Sequence, residues 1–318
     1  MRVLIVGGTR LLGKSLVDHL VGLDEYAVTV LSRRAGIFSS SCRTIVSDRD
    51  KGIDLLKGEY FDWIIDFIAY DDKAVFKIKD NLKFGRYLLI SSCWMPKLNL
   101  SNRADQFIHR VDSSLVSLLP DVTMNYLLNK REAELFLETN FSPGTYTILR
   151  LPIFLSENDH TGRIDFYVSR LLDDHPIIAV NAGQNYCQIG NVPDLAAAIS
   201  YLLFDLGFDS SPILEALPSK ATKVIDVIQL IRNSLKSSTE IVELGHNWLE
   251  QKLPIYLKEE PLWREIQMEL TEHNIFKLIG RNSLDIEEWL PTVAILRSKM
   301  QTDNKFELRA QEIDLINS

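Results

Sequence analysis

The sequence predicts an α/β protein built on a doubly wound parallel sheet, with a smaller C-terminal lobe. Two observations lead to this prediction. Short apolar runs alternate with helical patterns through the first half of the chain, as is typical of strands covered by helices on both faces. The first of these runs stops at a pair of glycines, from which a helix starts.

The elements are predicted in chain order from these patterns. The candidate strands of the first half are Val3–Val6, Ala27–Leu31, Thr44–Val46, Trp63–Ile68, Tyr87–Ser91 and Tyr146–Leu149. The helices between them are expected at Gly13–Val21, Ala74–Leu82 and Tyr126–Glu138. After about residue 152 the alternation ends. Shorter elements follow: helices at Asp165–Asp173, Leu195–Phe204 and Val224–Leu235, and strands at Ile213–Leu217 and Ile241–Leu244.

Composition and charge exclude several classes of protein. The 318 residues are 46% hydrophobic and 25% charged, which is ordinary for a globular protein with a large core. A net charge of −8 argues against a nucleic-acid surface, and no apolar run approaches the roughly 18 residues of a membrane span. The six histidines form no ligand cluster, so no metal site is expected. The N-terminus lacks a signal-like segment and the three cysteines lack paired spacing, so we expect a cytoplasmic protein.

The glycine turn after the first strand is the most informative pattern. Glycines let a backbone approach phosphates closely, and a helix N-terminus offers free N–H groups, so the turn predicts a site for a dinucleotide pyrophosphate. The alternative is a tight turn without a ligand. We therefore expect residues 1–152 to form a dinucleotide-binding domain to which residues 175–205 return, and residues 153–318 to form mainly a substrate-binding lobe. The turn residues expected at the cofactor are Gly7, Gly8, Thr9, Arg10, Leu11, Leu12 and Gly13.

The end of the second strand bears on the choice between NAD and NADP. NAD-binding proteins usually place an acidic residue there, whereas this chain has Ser32, Arg33 and Arg34. A hydroxyl and two guanidinium groups suit a 2′-phosphate, which Arg10 could also reach, so NADP is predicted and NAD is the second choice. The alternative is that both arginines are solvated loop charges. Asp48, after the third strand, is expected to bind the adenine amino group, or else to be a turn or cap residue.

Tyr126 and Lys130 have the spacing YxxxK, which places both on one face of a helix. A lysine ammonium beside a phenol lowers the pKa of the phenol, so a tyrosine can act as an acid–base near neutrality. The fifth strand ends in Ser91 and Ser92, at the sheet edge where open α/β folds bind ligands. A serine there can hold the carbonyl oxygen that the tyrosine protonates. The spacing alone is frequent by chance, so its value depends on this context.

With these pieces in this order, the chain resembles the extended short-chain dehydrogenase/reductase family, and within it the NAD-dependent epimerase/dehydratase group with a GGTRxxG turn. The resemblance covers nearly the whole chain and rests on the segments GGTRLLG, SRR, SDR, DFIAY, ISS, YLLNK, ILRLP, DHTGRIDF, QIGNVPDLAAAI and KLIGRNSLDIEEWL. It implies a Rossmann-type domain, a nucleotide-linked sugar as substrate and a homodimer. By the same resemblance Ser92 orients the substrate oxygen, Tyr126 is the acid–base, Lys130 holds the nicotinamide ribose, and Ala69 belongs to the cofactor site.

The departures from the family pattern concern the substrate. Family dehydratases carry an acidic pair after the serine or threonine, where this chain has Cys93 and Trp94, so a 4,6-dehydratase is not expected. The family's VYG and YGP segments are also replaced here, which leaves the sugar open. Cys93, Trp94, His160 and Arg163 are the candidate substrate residues. Trp94 could equally be a packed aromatic residue, and the segment of His160 and Arg163 could be a helix start led by Asp159.

Three functions remain at this point. The leading hypothesis is an NADP-dependent 4-ketoreductase of nucleotide-linked sugars, in which Tyr126 protonates the oxygen at C4. The alternative is a 4-epimerase that retains NAD. A third class is a non-enzymatic protein of the same fold, used for interaction or RNA binding, because fold alone does not fix function. The net charge of −8 and the complete set of Ser92, Tyr126 and Lys130 oppose this third class.

Overall fold

The computed structural model describes residues 1–36, 38, 41–94, 121–204, 212–262, 270–300 and 308–317. They form two compact units, each assembled from several segments of chain. The first unit comprises Met1–Pro152, Val192–Leu217 and Leu270–Asn282, and the second unit comprises Ile153–Asn191, Pro218–Glu269 and Ser283–Ser318. The chain therefore returns to the first unit at Val192, later than the expected residue 175. The reason is that Ile177–Val180 pairs with Ile241–Leu244 inside the second unit.

The described strands and helices are as follows. The strands are β1 Arg2–Val6, β2 Ala27–Ser32, β3 Arg43–Val46, β4 Tyr60–Asp66, β5 Lys83–Ser92, β6 Tyr146–Leu151, β7 Ile153–Leu155, β8 Ile177–Val180, β9 Tyr186–Cys187, β10 Ile189–Asn191, β11 Ile213–Glu215, β12 Thr222–Lys223 and β13 Ile241–Leu244. The α-helices are α1 Leu11–Val21, α2 Arg49–Leu55, α3 Asp72–Asn81, α4 Asp121–Asn140, α5 Arg163–Leu171, α6 Val192–Phe204, α7 Val224–Ser234, α8 His246–Lys252, α9 Pro254–Glu259, α10 Ile275–Leu278, α11 Ile286–Lys299 and α12 Arg309–Asn317.

A seven-stranded parallel sheet is the centre of the first unit. Its strand order is β11-β6-β5-β4-β1-β2-β3, so the direction of winding reverses between β1 and β4. The central strands are continuously apolar because helices cover both faces: α1 packs against α6, and α3 packs against α4. Val3–Val6 of β1 are completely buried. This architecture confirms the fold class predicted from the sequence.

Two helices of the first unit differ from the sequence prediction. The segment Arg49–Leu55 was not predicted to be helical, and it forms α2. In addition, α4 begins at Asp121, so Tyr126 lies inside a 20-residue helix instead of at its start. This second difference matters for the candidate site, because a residue inside a helix is held more firmly than one at a fraying end.

The second unit is made of small elements. Among its described residues it contains three two-stranded pairs: β7 with β10, β8 with β13, and β9 with β12. Helix α11 packs against α5 and α7. Buried ion pairs join distant parts of this unit: Arg297 Nε donates to Asp165 Oδ1 at 2.8 Å, and Arg170 Nε donates to Glu312 Oε2 at 2.9 Å.

In the part of the chain that the structure describes, no helix is long and apolar enough to cross a membrane. The same residues contain no group of three or more His, Cys, Asp or Glu side chains that could hold a metal ion.

Candidate active site

The glycine turn between β1 and α1 is built for close backbone packing. Gly7 has a φ of +93°, and a Cβ atom there would lie 2.8 Å from Ile68 Cγ2. A Cβ atom on Gly13 would lie 2.9 Å from the Cα of Gly8. Side chains are thus excluded at these positions, and the helix is held directly against the turn.

The N-terminus of α1 is open to an anion. Arg10 occupies the N-cap position, but no side chain caps the first turn of the helix. The N–H groups of that turn therefore lack a side-chain acceptor, and together with the helix dipole they favour a phosphate. The residues present fit the pyrophosphate of a dinucleotide. Leu11, which begins the helix, has a φ of +39°, and this left-handed conformation costs a leucine about 1–2 kcal/mol.

The loop after β2 carries the residues expected at the 2′-phosphate. Ser32 is buried, and its Oγ donates a hydrogen bond to the Arg34 carbonyl oxygen at 2.6 Å. The hydroxyl proton of Ser32 is therefore used inside the loop. The side chains of Arg10, Arg33 and Arg34 are exposed, and none of them forms an ion pair among the described residues. The exposed arginines fit both an anion site and solvated loop charges, so the NADP assignment stays a prediction.

Asp48 caps a helix. It occupies the N-cap position of α2, and its Oδ1 accepts a hydrogen bond from the Lys51 backbone N–H at 3.0 Å. This contact lowers the pKa of the Asp48 carboxyl group. The cap role that the sequence left open is thus present in the structure. Asp48 is also exposed, so a role at the adenine stays a prediction.

The carboxyl ends of the central strands bring the remaining candidates to one edge of the first unit. Val6 is in register with Asp66, and Ser92 is in register with Leu151. The glycine turn follows β1, Ala69 follows β4, and Ser92 ends β5. Because the sheet is parallel, all three lie at the edge where the strand order reverses and where such folds bind ligands.

Lys130 reaches this edge from α4. Its side chain is only 1% exposed, and its Nζ donates to the carbonyl oxygens of Ala69, at 2.9 Å, and Ile90, at 2.8 Å. Burial lowers the pKa of Lys130 from 10.5 to about 8, although the carboxylates of Asp66 and Glu134 oppose this shift. Lys130 therefore joins the ends of β4 and β5 to α4 and places a titratable ammonium group between them.

Tyr126 is 39% exposed and lies one turn before Lys130. Its ring makes an edge contact with Tyr70, with the ring centroids 5.9 Å apart. The Tyr70 ring also faces the Lys130 Nζ, which is 5.0 Å from its centroid. Tyr70 was missed by the sequence analysis. Its place directly after Ala69, at a strand end, is a signal that could have identified it.

The two serines at the end of β5 have different environments. Ser91 is buried and donates to Glu134 Oε1 at 2.6 Å. Ser92 is half-buried, and its Oγ accepts a hydrogen bond from the Trp94 backbone N–H at 3.2 Å. Ser92 lies two residues after Ile90, which contacts Lys130. Ser92 is therefore the serine of this pair that lies nearer the surface of the candidate site.

A buried ionic network fixes α4 against the sheet. Glu134 is completely buried and accepts hydrogen bonds from Arg150 Nε at 3.1 Å and Nη2 at 2.8 Å. Arg131 Nη1 donates to the same carboxylate at 3.0 Å. Burial alone would raise the pKa of Glu134, but these arginines and Ser91 lower it. Since Glu134 lies one turn after Lys130, the network also fixes the position of Lys130.

The candidate substrate residues are divided between the two units. In the first unit, Cys93 is buried and its Sγ donates to the Arg150 carbonyl oxygen at 3.1 Å, which accounts for this residue without a substrate. Trp94 is half-buried. The residues Met95–Lys97, which replace the family's VYG, lie outside the described residues.

In the second unit, the segment before α5 does not form a helix start led by Asp159. Gly162, with a φ of +75°, is the N-cap residue, and Arg163 begins the helix. Asp159 instead accepts hydrogen bonds from the backbone N–H of Thr161, at 2.8 Å, and from its hydroxyl, at 2.6 Å, in a turn before the helix. His160 is exposed, and Arg163 Nη1 donates to Thr161 Oγ1 at 3.2 Å.

No family model matches this chain, and no curated protein matches it. Solved structures do match. A UDP-galactose 4-epimerase superposes with a TM-score of 0.68 at 16% identity, over 95% of this chain and 100% of that one. A UDP-glucuronic acid 4-epimerase from Bacillus cereus, in complex with UDP-glucuronic acid and NAD, gives 0.68 at 12% identity, over 94% and 100%. A dTDP-glucose 4,6-dehydratase from Bacillus anthracis str. Ames, in complex with NAD, gives 0.67 at 12% identity, over 95% and 97%.

These structures are epimerases and dehydratases, the group that the motifs resemble. At such low identity the likeness shows the fold alone. It confirms the Rossmann-type expectation for this chain.

Proposed function

We propose that this protein is a nicotinamide-dependent oxidoreductase of the extended short-chain dehydrogenase/reductase type, which acts on a nucleotide-linked sugar with Tyr126 as acid–base. The observation that carries the proposal is the buried ammonium group of Lys130. It lies one helical turn from Tyr126, at the strand edge that also carries Ser92 and the glycine turn. A buried charge is expensive for the fold, and a perturbed lysine in such a place is a mark of a functional site.

Each group has a defined part in the proposed reaction. The glycine turn and the N-terminus of α1 would hold the pyrophosphate of the cofactor. A bound nicotinamide would supply or accept the hydride. The Ser92 hydroxyl holds the substrate oxygen, and Tyr126 Oη gives that oxygen a proton when a carbonyl is reduced, or removes one when an alcohol is oxidised. Lys130 supplies the positive charge that stabilises the phenolate form of Tyr126.

The finer assignment that we favour is an NADP-dependent 4-ketoreductase. Its support is the absence of an acidic residue at Ser32–Arg34 together with the three exposed guanidinium groups of Arg10, Arg33 and Arg34. In such a reductase, one hydride is transferred to one face of the sugar, and the oxidised cofactor is then released.

A 4-epimerase that retains NAD is the second candidate. It is favoured by the similar structures, several of which are 4-epimerases, and those of UDP-glucuronic acid 4-epimerase are in complex with NAD. The two candidates differ in their need for added cofactor. A reductase oxidises NADPH in proportion to the ketosugar consumed, whereas an epimerase interconverts two sugars with no net change in cofactor.

The substitution Tyr126→Phe tests the proposed chemistry. We expect turnover of a nucleotide-linked 4-ketosugar or its alcohol to fall about 10²–10⁴-fold, because the proton donor is lost. Cofactor affinity should change less than threefold. The rate is followed by absorbance of the reduced nicotinamide, and cofactor binding by its fluorescence. Tyr60→Phe is the matched control, since Tyr60 is 46% exposed but lies at the first residue of β4, at the opposite end of that strand from the candidate site.

Full activity in Tyr126→Phe would remove this residue from the mechanism. Absence of turnover in the unaltered protein, with any nucleotide-linked sugar and either cofactor, would favour the non-enzymatic class.

A further inference from the structure

An ion pair that the sequence analysis did not single out lies behind Lys130. Asp66, the last residue of β4, is completely buried. Arg49, the first residue of α2, donates to both of its carboxylate oxygens, from Nη1 at 2.8 Å and from Nη2 at 2.6 Å. The Tyr87 hydroxyl donates to Asp66 Oδ2 at 2.8 Å. Arg49 Nη2 also donates to the Ala74 carbonyl oxygen at 2.7 Å, which ties the pair to α3.

The Asp66 carboxylate also fixes the conformation of the backbone directly after β4. Asp66 Oδ1 accepts a hydrogen bond from the backbone N–H of Ile68 at 3.0 Å, which closes a turn. Ile68 is the residue whose side chain lies against Gly7 of the glycine turn. The next residue, Ala69, supplies one of the two carbonyl oxygens that hold the Lys130 ammonium group. A single carboxylate therefore fixes a segment that contacts both the glycine turn and Lys130.

Fold stability is a poor explanation for this arrangement. Burying two charges costs several kcal/mol per ion, and apolar replacements are often as stable or more stable. Arg49 Nε is buried without a hydrogen-bond partner among the described residues, so the pair is not even fully satisfied. Burial lowers the pKa of Arg49, but the attraction of the Asp66 carboxylate is stronger, so the pKa of Arg49 is raised overall. Arg49 is therefore charged at every pH of interest.

We propose that Arg49 and Asp66 form a positioning pair, which fixes the Ile68–Ala69 segment and thereby sets the place and the charge of the Lys130 ammonium group beside Tyr126. This inference rests on the proposed function, because it gives the pair a role through Lys130. Neither residue of the pair takes part in proton transfer.

The electrostatic part of the proposal involves every described charged or titratable group that acts on Lys130. The Asp66 carboxylate, on β4, favours the ammonium form, and so does Glu134, on the same helix as Lys130. Arg49, on α2, disfavours it. The Tyr70 ring faces the Lys130 Nζ, and the Tyr126 ring contacts Tyr70. Removing the negative or the positive member of the pair should therefore shift the pKa of Lys130 in opposite directions.

The test is an NMR titration of the full chain with ¹³Cε-labelled lysine, in which the Lys130 signal is assigned by its loss in Lys130→Arg. In Asp66→Asn the pKa of Lys130 should fall by roughly one unit, and in Arg49→Gln it should rise by a similar amount. Tyr87→Phe removes one hydrogen bond to Asp66 without changing a charge. It is therefore the matched control, and the pKa of Lys130 should be unchanged in this variant. Shifts in the same direction, or no shift in either variant, would overturn the proposal.

The double variant Arg49→Gln/Asp66→Asn covers the case in which a single variant leaves an unpaired buried charge and fails to fold. Its Lys130 pKa should return to near 8, since both charges are gone, while turnover falls at least fivefold because Ala69 is no longer fixed. Unchanged turnover in the double variant would show that the pair has no positioning role.

The titration needs no catalysis, so it separates this inference from the proposed function. Opposite pKa shifts without a matching change in the pH dependence of turnover would support the pair and remove Lys130 from the mechanism.

Discussion

The buried ammonium group of Lys130 is hydrogen-bonded to two backbone carbonyl oxygens instead of water. These two bonds do not fully compensate for the lost hydration of the charge. The pKa of Lys130 is lowered from 10.5 to about 8, so the unfolded chain holds the proton more tightly than the folded protein does. The cost of burying the charge is fully present below pH 8 and disappears as the pH rises towards 10.5. A residue that destabilises the fold at neutral pH and is nevertheless held by two strand ends fits a role in chemistry better than a role in stability.

The first prediction at the residue scale concerns this titration. We expect turnover to decline above about pH 8, because Lys130 then loses the charge that supports Tyr126. The measurement is kcat from pH 6 to pH 10. Lys73→Met, which removes an exposed lysine of α3, should leave the decline unchanged. A constant kcat up to pH 10 would contradict the assignment of Lys130.

The second prediction concerns the two arginines after β2. In Arg33→Ala/Arg34→Ala, the Kd for NADPH should rise at least tenfold, because charge-assisted hydrogen bonds to a 2′-phosphate contribute about 1.5–3 kcal/mol each. The Kd for NADH should stay within twofold. Nicotinamide fluorescence measures both, and exposed Lys57→Ala controls for the loss of positive charge elsewhere. Equal affinities for the two cofactors in the unaltered protein would favour the epimerase.

At the scale of elements, features that depend on neighbouring residues could be predicted from the sequence, whereas features that depend on tertiary contacts could not. The glycine turn was found because its strand, spacing and helix lie within thirteen residues. Helix α2 was missed because it is short, charged and contains Gly52. Packing favours that glycine, since a Cβ atom there would clash with the buried Leu31 side chain. The partnership of Arg49 with Asp66 also could not be predicted, because nothing in the spacing of two charged residues on different elements reveals that they meet.

The prediction at this scale uses one glycine inside α1 and one at the C-terminal cap of that helix. Gly13→Ala should weaken cofactor binding at least tenfold and lower the midpoint of thermal unfolding, because the new Cβ atom forces α1 away from the turn. Gly22→Ala, at the C-terminal cap of α1, is the matched control. Its Cβ atom would meet no described atom closer than 3.4 Å, so stability should change by less than about 0.5 kcal/mol. Similar cofactor affinity and thermal stability in the two variants would argue against a glycine turn that is shaped to bind the cofactor.

At the scale of the whole molecule, the sheet of the first unit was predictable, whereas the interior of the second unit was not. Parallel strands buried on both faces leave a clear apolar pattern. The second unit depends instead on ion pairs between residues far apart in sequence, such as Arg170 with Glu312 and Asp165 with Arg297. An isolated charged residue looks like a surface residue until its partner is known.

Glu312→Gln tests the importance of these pairs. Glu312 is completely buried and accepts hydrogen bonds from Arg170 and Arg309, so the neutral amide should destabilise the second unit by about 3–5 kcal/mol. Urea unfolding followed by circular dichroism measures the loss. Glu243→Gln, on the exposed side of β13, should be neutral. A small effect for both would mean that the pair contributes little to stability.

The division of the first unit into three segments bears on how the chain folds while it is being synthesised. Strand β6 pairs with β11, and α1 packs against α6, yet both partners lie beyond residue 191. A nascent chain of 152 residues therefore exposes an unpaired strand edge and an uncovered helix face until roughly 60 more residues have left the ribosome, which takes about 3–12 s. During that interval the open edge is a template for pairing with other chains. We therefore expect the early chain to aggregate more readily than the completed first unit.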